Sequence, residues 1–199
     1  MKILHIIAGM PPESGVAAVV ARLAVEQRGL GHEVCVAWTR QENCLITKLQ
    51  DCVSEKQVRE VTFSRSHPQA MYFSWGMLVG LGKEIKDADV VHVHSSWTFP
   101  VWWGAWLALR HKKTLVMSPH GAFNPLQLKH SGWKKKLAGW MDRWLLKRAS
   151  VIVATCEAEN AWIQAFLETP RQGAADPRRP KIVVVPNGVG IPAPGRGSP

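Results

Sequence analysis

The sequence predicts an α/β fold: a Rossmann-like, doubly wound, mainly parallel sheet of about seven strands. Three observations predict it. Apolar runs of strand length recur along the chain, most of them are continuously apolar rather than alternating, and amphipathic stretches of helix length separate them. A strand covered by helices on both faces has no solvent side, so it loses the alternation that a half-exposed strand keeps.

The first run, Lys2 to Ala8, superficially resembles a secretion leader because a charge precedes a short apolar stretch. His5 interrupts it, Pro11 and Pro12 end it, and no small-residue cleavage site precedes Glu13, so it reads as a buried strand. Ser14 is placed to cap a helix over Gly15 to Leu30. Strands follow at Glu33 to Trp38 and Gln57 to Phe63, then a helix from Pro68 to Ile85. The strand Asp89 to His94 leads into a helix at Phe99 to His111, and Thr114 to Ser118 leads into one at Gly132 to Arg148. Strand Val151 to Ala154, helix Glu157 to Leu167 and strand Lys181 to Val185 complete the series, with Gln172 to Pro180 a Pro/Arg/Ala-rich loop. Residues 1–189 thus read as one domain. Residues 190–199, rich in glycine and proline, read as a linker or disordered tail.

Composition narrows the function classes. With 199 residues, 46% of them hydrophobic and 20% charged, the chain has material for one ordinary core. Its four cysteines form neither a CxxC pair nor a spaced Cys/His cluster, which argues for a reducing compartment and against a zinc or disulfide framework. The apolar stretch Phe99 to Leu109 is far short of the roughly 20 residues that span a bilayer. A net charge of +10 attracts phosphate-bearing partners, yet no helix-turn-helix, RNP or zinc-finger pattern accompanies it, so no nucleic-acid partner is expected.

Right-handed crossovers bring the carboxyl ends of all parallel strands to one edge, where an open α/β sheet forms its ligand crevice. The segments after the strands hold most of the unusual polar residues. In Gly9 to Gly15, the start of a helix at Ser14 and Gly15 offers unpaired N–H groups and a positive dipole end, which suits a diphosphate. The alternative is a tight turn that needs glycine for its shape. After the fourth run come His94, Ser95, Ser96 and Trp97; His92 and His94 share one strand face, but no third ligand is apparent and no metal site is expected. The loop Ser118-Pro119-His120-Gly121-Ala122-Phe123-Asn124-Pro125 holds an imidazole at a fixed place, either for a sugar hydroxyl or phosphate or to stabilise the loop.

Taken in order, Ser14-Gly15, Val-Val-His-Val-His-Ser, Ser-Pro-His-Gly, Ala-Thr-Cys-Glu-Ala-Glu and Val-Pro-Asn-Gly-Val resemble the family-four retaining glycosyltransferases of GT-B fold, from Lys2 to about Val189. The members that assemble capsule, exopolysaccharide or O-antigen chains look closest. The resemblance implies two facing Rossmann-like domains, the first for the acceptor and the second for the nucleotide-sugar. It places Ser14 and Gly15 at the donor diphosphate and His120, as the catalytic candidate, beside the transferred sugar. It also places Glu157 and Glu159 along the acceptor cleft, and Asn187 and Gly188 at the crossover into the second domain; His94, Ser95, Trp97, Gly121 and Asn124, on the loops after the strands, are the other residues expected along that cleft.

The sequence departs from the family's pattern where Ser14 stands for a glycine, Cys156 for Ser and Gly190 for Asp. The family's donor-half motif, a Glu, seven residues and a Glu, is missing, since no two glutamates lie eight positions apart. The resemblance therefore implies an acceptor-side half with the carboxyl-terminal donor domain absent, inactive alone. Its expected partners are a nucleotide-sugar donor and a glycan or lipid-linked acceptor, with no tightly bound cofactor and no metal.

One further segment bears on location. Trp133, Leu137, Trp140 and Trp144 recur at helical spacing, with Lys135, Lys136 and Arg143 to one side. Such a stripe either packs into a core or lies in a bilayer interface, and Trp102, Trp103 and Trp106 add aromatic surface. The expected location is cytoplasmic, with peripheral contact to an anionic membrane face. Two competing readings are a stand-alone, non-catalytic sugar-, nucleotide- or partner-binding module and a dinucleotide-dependent oxidoreductase; the latter lacks GxGxxG after the first strand.

Overall fold

The computed structural model describes residues 1–11, 13–41, 58–67, 69–129, 133–168 and 180–188, excepting the side chains of 70, 129 and 133–137. Seven strands, β1 (Lys2–Ile7), β2 (Glu33–Arg40), β3 (Arg59–Ser64), β4 (Val90–His94), β5 (Thr114–Ser118), β6 (Val151–Ala154) and β7 (Lys181–Val184), form one sheet in the order β3-β2-β1-β4-β5-β6-β7. All neighbouring strands pair in parallel. The strand order reverses between β1 and β4, the position at which an open sheet of this type leaves a crevice beyond its strand ends.

Among the described residues six helices accompany the sheet: α1 (Gly15–Gly29), α2 (Trp75–Asp87), α3 (Phe99–Arg110), α4 (Pro125–Lys129), α5 (Trp133–Leu146) and α6 (Glu157–Leu167). Two cores result. On one face Leu4, Ile6, Val91, Val93, Leu115, Met117 and Ile152 pack against α2, α3, α5 and α6. On the other, Ile7, Val34, Val36 and Trp38 pack against Ala17, Val20, Ala21 and Ala24 of α1. The central strands are covered on both sides, which explains their continuous apolar reading.

The predicted helix Pro68 to Ile85 is corrected. A single 3-10 turn occupies Gln69–Met71, and α2 begins only at Trp75, where the Ser74 hydroxyl accepts from the Met77 N–H at 3.2 Å. A buried serine cap stops the helix from growing backwards, a local signal that hydrophobic periodicity does not carry. The short helix α4 was also not foreseen; it starts where the Asn124 carboxamide oxygen accepts from Leu126 N–H at 2.9 Å. The predicted tail, 190–199, lies outside the described residues.

Candidate functional site

Each loop after β1, β4, β5, β6 and β7 reaches the same sheet edge, so Gly15 and His120 share one rim. Ser14 caps α1, its hydroxyl accepting from Ala17 N–H at 3.1 Å. A Cβ built on Gly15 meets nothing within 4 Å and its backbone is not left-handed, so neither packing nor turn geometry of the described residues demands glycine there. The helix start faces open space.

Backbone strain concentrates on the same rim. Ser95 (φ 75°), Trp97 (φ 66°) and His120 (φ 52°) all sit in the left-handed region, followed by Gly121 (φ 77°). For a residue with a Cβ that conformation costs on the order of 1–2 kcal/mol, so something must hold it. Ser95 is held by its N–H on the Ser118 carbonyl at 2.8 Å. The holder of the β5 loop is Glu159. Only 1% exposed, its carboxylate accepts from Gly121 N–H at 2.6 Å, Thr155 N–H at 2.7 Å and the Thr155 hydroxyl at 2.6 Å. Glu159 is therefore not on the open wall expected of it: its oxygens are taken up in tying the His120 loop to the β6–α6 turn. Glu157 is exposed at the start of α6 and accepts from the Asn160 carboxamide at 3.2 Å.

Trp97 serves as a strut. Its indole N–H donates to the Ala122 carbonyl at 3.2 Å and its ring meets Phe123 and Phe166 edge-on. Behind it stands Asp142, fully buried on α5, accepting from the Trp102 indole at 2.8 Å and the Trp97 N–H at 3.4 Å. Burial pushes the Asp142 carboxyl up to about 6, against the pull of these hydrogen bonds. Sequence reading missed Asp142 because its partners lie 40 and 45 residues away.

The histidines form the centre of the site. In the β1–β4 pairing His5 stands opposite His92, on the face that also carries His94. A third imidazole thus joins the two whose spacing is visible in sequence, where no third ligand is apparent. The nitrogens of His5, His92 and His94 fall within 4.8 Å of one another. They are already hydrogen-bonded: Gln27 Oε1 to His5 Nε2 at 2.7 Å, His5 Nδ1 to His94 Nε2 at 2.9 Å, and His94 Nδ1 to His120 Nε2 at 3.1 Å. His92 Nε2 pairs separately with the Ser118 hydroxyl at 2.7 Å, its ring 4.0 Å from that of His94. Desolvation keeps all four neutral: it lowers His5 to about 4, His92 and His94 well below the ordinary range, and His120 in the same direction.

A cavity of about 210 Å³ opens over this cluster, walled by Arg22 and Glu26 of α1, by His94, His120 and Thr155, and by Asn187 and Gly188 after β7. The predicted crossover residues and the predicted catalytic histidine therefore share one cavity. Asn124 is spent on capping α4. On the other side of β1, Arg65 lies 4.0 Å over the Tyr72 ring and donates to the Thr39 hydroxyl at 3.3 Å. A Cβ at Gly9 would meet its guanidinium at 2.7 Å, so the glycine keeps room for a cation beside the first loop.

A parallel sheet with a switch point, a capped open helix start and strained turns on one rim defines a Rossmann-like α/β domain with a crevice beyond its strand ends. The sequence matches the glycosyl transferase 4-like domain over residues 14–188, and the chain belongs to that family. No curated protein sequence matches it.

Among solved structures, the Anabaena protein HepE in complex with UDP and glucose is 18% identical with a TM-score of 0.63, over 95% of this chain and 45% of that one. UDP-GlcNAc 2-epimerase from Neisseria meningitidis bound to UDP-GlcNAc is 17% identical with a TM-score of 0.61, over 92% and 45%. Sucrose-phosphate synthase from Thermosynechococcus elongatus is 12% identical with a TM-score of 0.58, over 94% and 48%. At these identities the likeness is one of fold, and the chain spans about half the length of each.

Proposed function

We propose that this chain is the acceptor-side lobe of a retaining glycosyltransferase, which moves a sugar from a nucleotide-sugar to a glycan or lipid-linked saccharide in capsule, exopolysaccharide or O-antigen assembly. The observation that carries the reading is the meeting of the open, capped α1 start and the clamped His120 turn on one strand-end rim. The cavity supports it by size: about 210 Å³ is below the roughly 300–1,000 Å³ of complete small-molecule sites, as for a half-site whose opposite wall belongs to a nucleotide-holding lobe. UDP-sugar is the donor class, because two fold neighbours are described with UDP and glucose or with UDP-GlcNAc.

In the proposed reaction an acceptor hydroxyl oxygen bonds to the anomeric carbon as the bond from that carbon to the diphosphate oxygen breaks on the same face. The hydroxyl proton passes to the departing diphosphate. The N–H groups at the start of α1 stabilise the charge growing on that diphosphate, as fixed donors do for an oxyanion. His120, neutral and held in place, orients a sugar hydroxyl. No tightly bound cofactor or metal enters this scheme. The lobe works in the cytoplasm, against an anionic membrane face.

The test is a transfer assay in the enzyme assembled with its nucleotide-holding lobe. His120→Ala is expected to lower turnover by about 100-fold or more while thermal stability stays near that of the parent. Unchanged turnover removes His120 from the site. Sugar binding without transfer by the assembled protein favours a binding module instead.

A further inference from the structure

Deepening the reading of His120, and resting on it for the ligand, we propose that Gln27, His5 and His94 form a one-way hydrogen-bond relay. It fixes His120 as its Nε2–H tautomer and leaves Nδ1 a bare acceptor for a sugar hydroxyl. The direction is set at the far end. Gln27 presents its carboxamide oxygen to His5 Nε2, and an oxygen there can only accept, so His5 carries its proton on Nε2. His5 Nδ1 is then a lone pair and must accept from His94 Nε2–H at 2.9 Å. By the same logic His94 Nδ1 accepts from His120 Nε2–H at 3.1 Å. A neutral imidazole has one proton, so His120 Nδ1 has none, and among the described residues it has no partner.

The relay holds only while every ring is neutral, and the burial of His5 and His94, each 0% exposed, enforces that. His92, its ring tilted against that of His94 at 4.0 Å and tied to Ser118, walls the chain of rings. The consequence is chemical selectivity. The diphosphate of an intact nucleotide-sugar is esterified at both ends, so its oxygens carry no proton at neutral pH and have nothing to give an acceptor nitrogen, whereas a sugar hydroxyl donates to it. The division of labour on the rim follows: α1 takes the diphosphate and His120 takes a hydroxyl. Gln27 and His5 are positioning residues acting through His94. A metal held by His5, His92 and His94 is the rival arrangement, and the 2.9 Å contact between His5 Nδ1 and His94 Nε2 favours a shared proton over it.

The test is nitrogen-15 NMR of the histidine-labelled chain at neutral pH. The relay predicts a proton-bearing, pyrrole-type Nε2 and a pyridine-type Nδ1 at His120. Gln27→Leu is expected to convert these to averaged signals of both tautomers, and Gln27→Glu, which keeps an acceptor oxygen, to restore the single form. A proton on Nδ1 in the parent chain overturns the proposal, as does an unchanged His120 signature in Gln27→Leu. If Gln27→Leu fails to fold, the parent spectrum decides alone. One equivalent of zinc should leave the signals in place; a joint shift of His5, His92 and His94 overturns the relay in favour of the metal. A chain that shows the relay tautomer while His120→Ala leaves transfer intact keeps this inference and loses the functional reading.

Discussion

Gly15 and Glu159 show how differently the scaffold constrains two residues of one rim. Gly15 meets no steric demand from the described residues, while Glu159 is consumed by three hydrogen bonds that hold the His120 turn. Gly15→Ala should therefore leave stability within about 0.5 kcal/mol of the parent, since the added methyl enters open space at a helix start. On the proposed reading, in which the start of α1 receives the diphosphate, the same change is expected to raise the KM for nucleotide-sugar in the assembled enzyme. Thermal denaturation and initial rates check the two halves; a large loss of stability would make the glycine a structural requirement.

Among elements, α3 and α2 contrast in how they use glycine. A Cβ at Gly104 of α3 would lie 2.5 Å from Ile6 Cδ1 in the core, so Gly104→Ala should destabilise by about 1–3 kcal/mol as the Ile6 side chain is displaced. Gly82 in α2 has nothing within 4 Å, so Gly82→Ala should stabilise by up to about 1 kcal/mol through helix propensity. Chemical denaturation of the pair measures both, and equal effects would contradict the close seating of α3 on β1.

The expected tryptophan stripe of α5 divides on inspection. Trp144 packs on the core under Arg148, and Trp140 is 56% exposed. The side chains of Trp133, Leu137, Lys135 and Lys136 lie outside those described. Arg143 is tied to the Phe166 carbonyl at 2.8 Å. The outward aromatic surface is instead spread over three helices, with Trp75 at 64%, Trp106 and Trp140 exposed. If this layer meets a membrane, the chain should sediment with anionic vesicles at low salt and release as salt screens its charge. Failure to bind at any ionic strength would end the membrane assignment. No helix among the described residues is long and apolar enough to cross a membrane.

At the scale of the whole molecule, burial holds four imidazoles among the described residues neutral, and this bears on its acid response. An unfolded chain protonates histidine near pH 6.5, whereas His5 in the fold resists until about 4. Between those values the unfolded state binds more protons, so stability falls as pH drops through the window, by about 3 kcal/mol for His5 alone. His92, His94 and His120 shift in the same direction and add to the loss. Asp142 works the opposite way. Its carboxyl, raised to about 6 from an ordinary 3.8, binds a proton more readily when folded and regains some stability as pH falls between those values. Glu60, its carboxyl also raised by burial, acts in the same sense as Asp142, and two carboxyls against four imidazoles leave a net loss, so denaturant midpoints should decline from pH 7 to pH 5. A flat profile would mean the cluster is not buried in solution.

The sequence by itself determined the sheet class, the strand order of events along the chain and the loops at the working edge. It could do so because continuous apolar runs, helix caps such as Ser14 and punctuating prolines are local signals. It also singled out His94, His120, Asn187 and Gly188, which the structure brings around one cavity. The tertiary structure alone decided who touches whom. His5 joins His92 through strand register, Gln27 reaches His5 from α1, Asp142 braces Trp97 and Trp102, and Glu159 turns from the crevice to clamp a loop. These contacts join residues 22 to 87 positions apart, and no local periodicity encodes them, because contact between side chains depends on where the sheet brings the backbone.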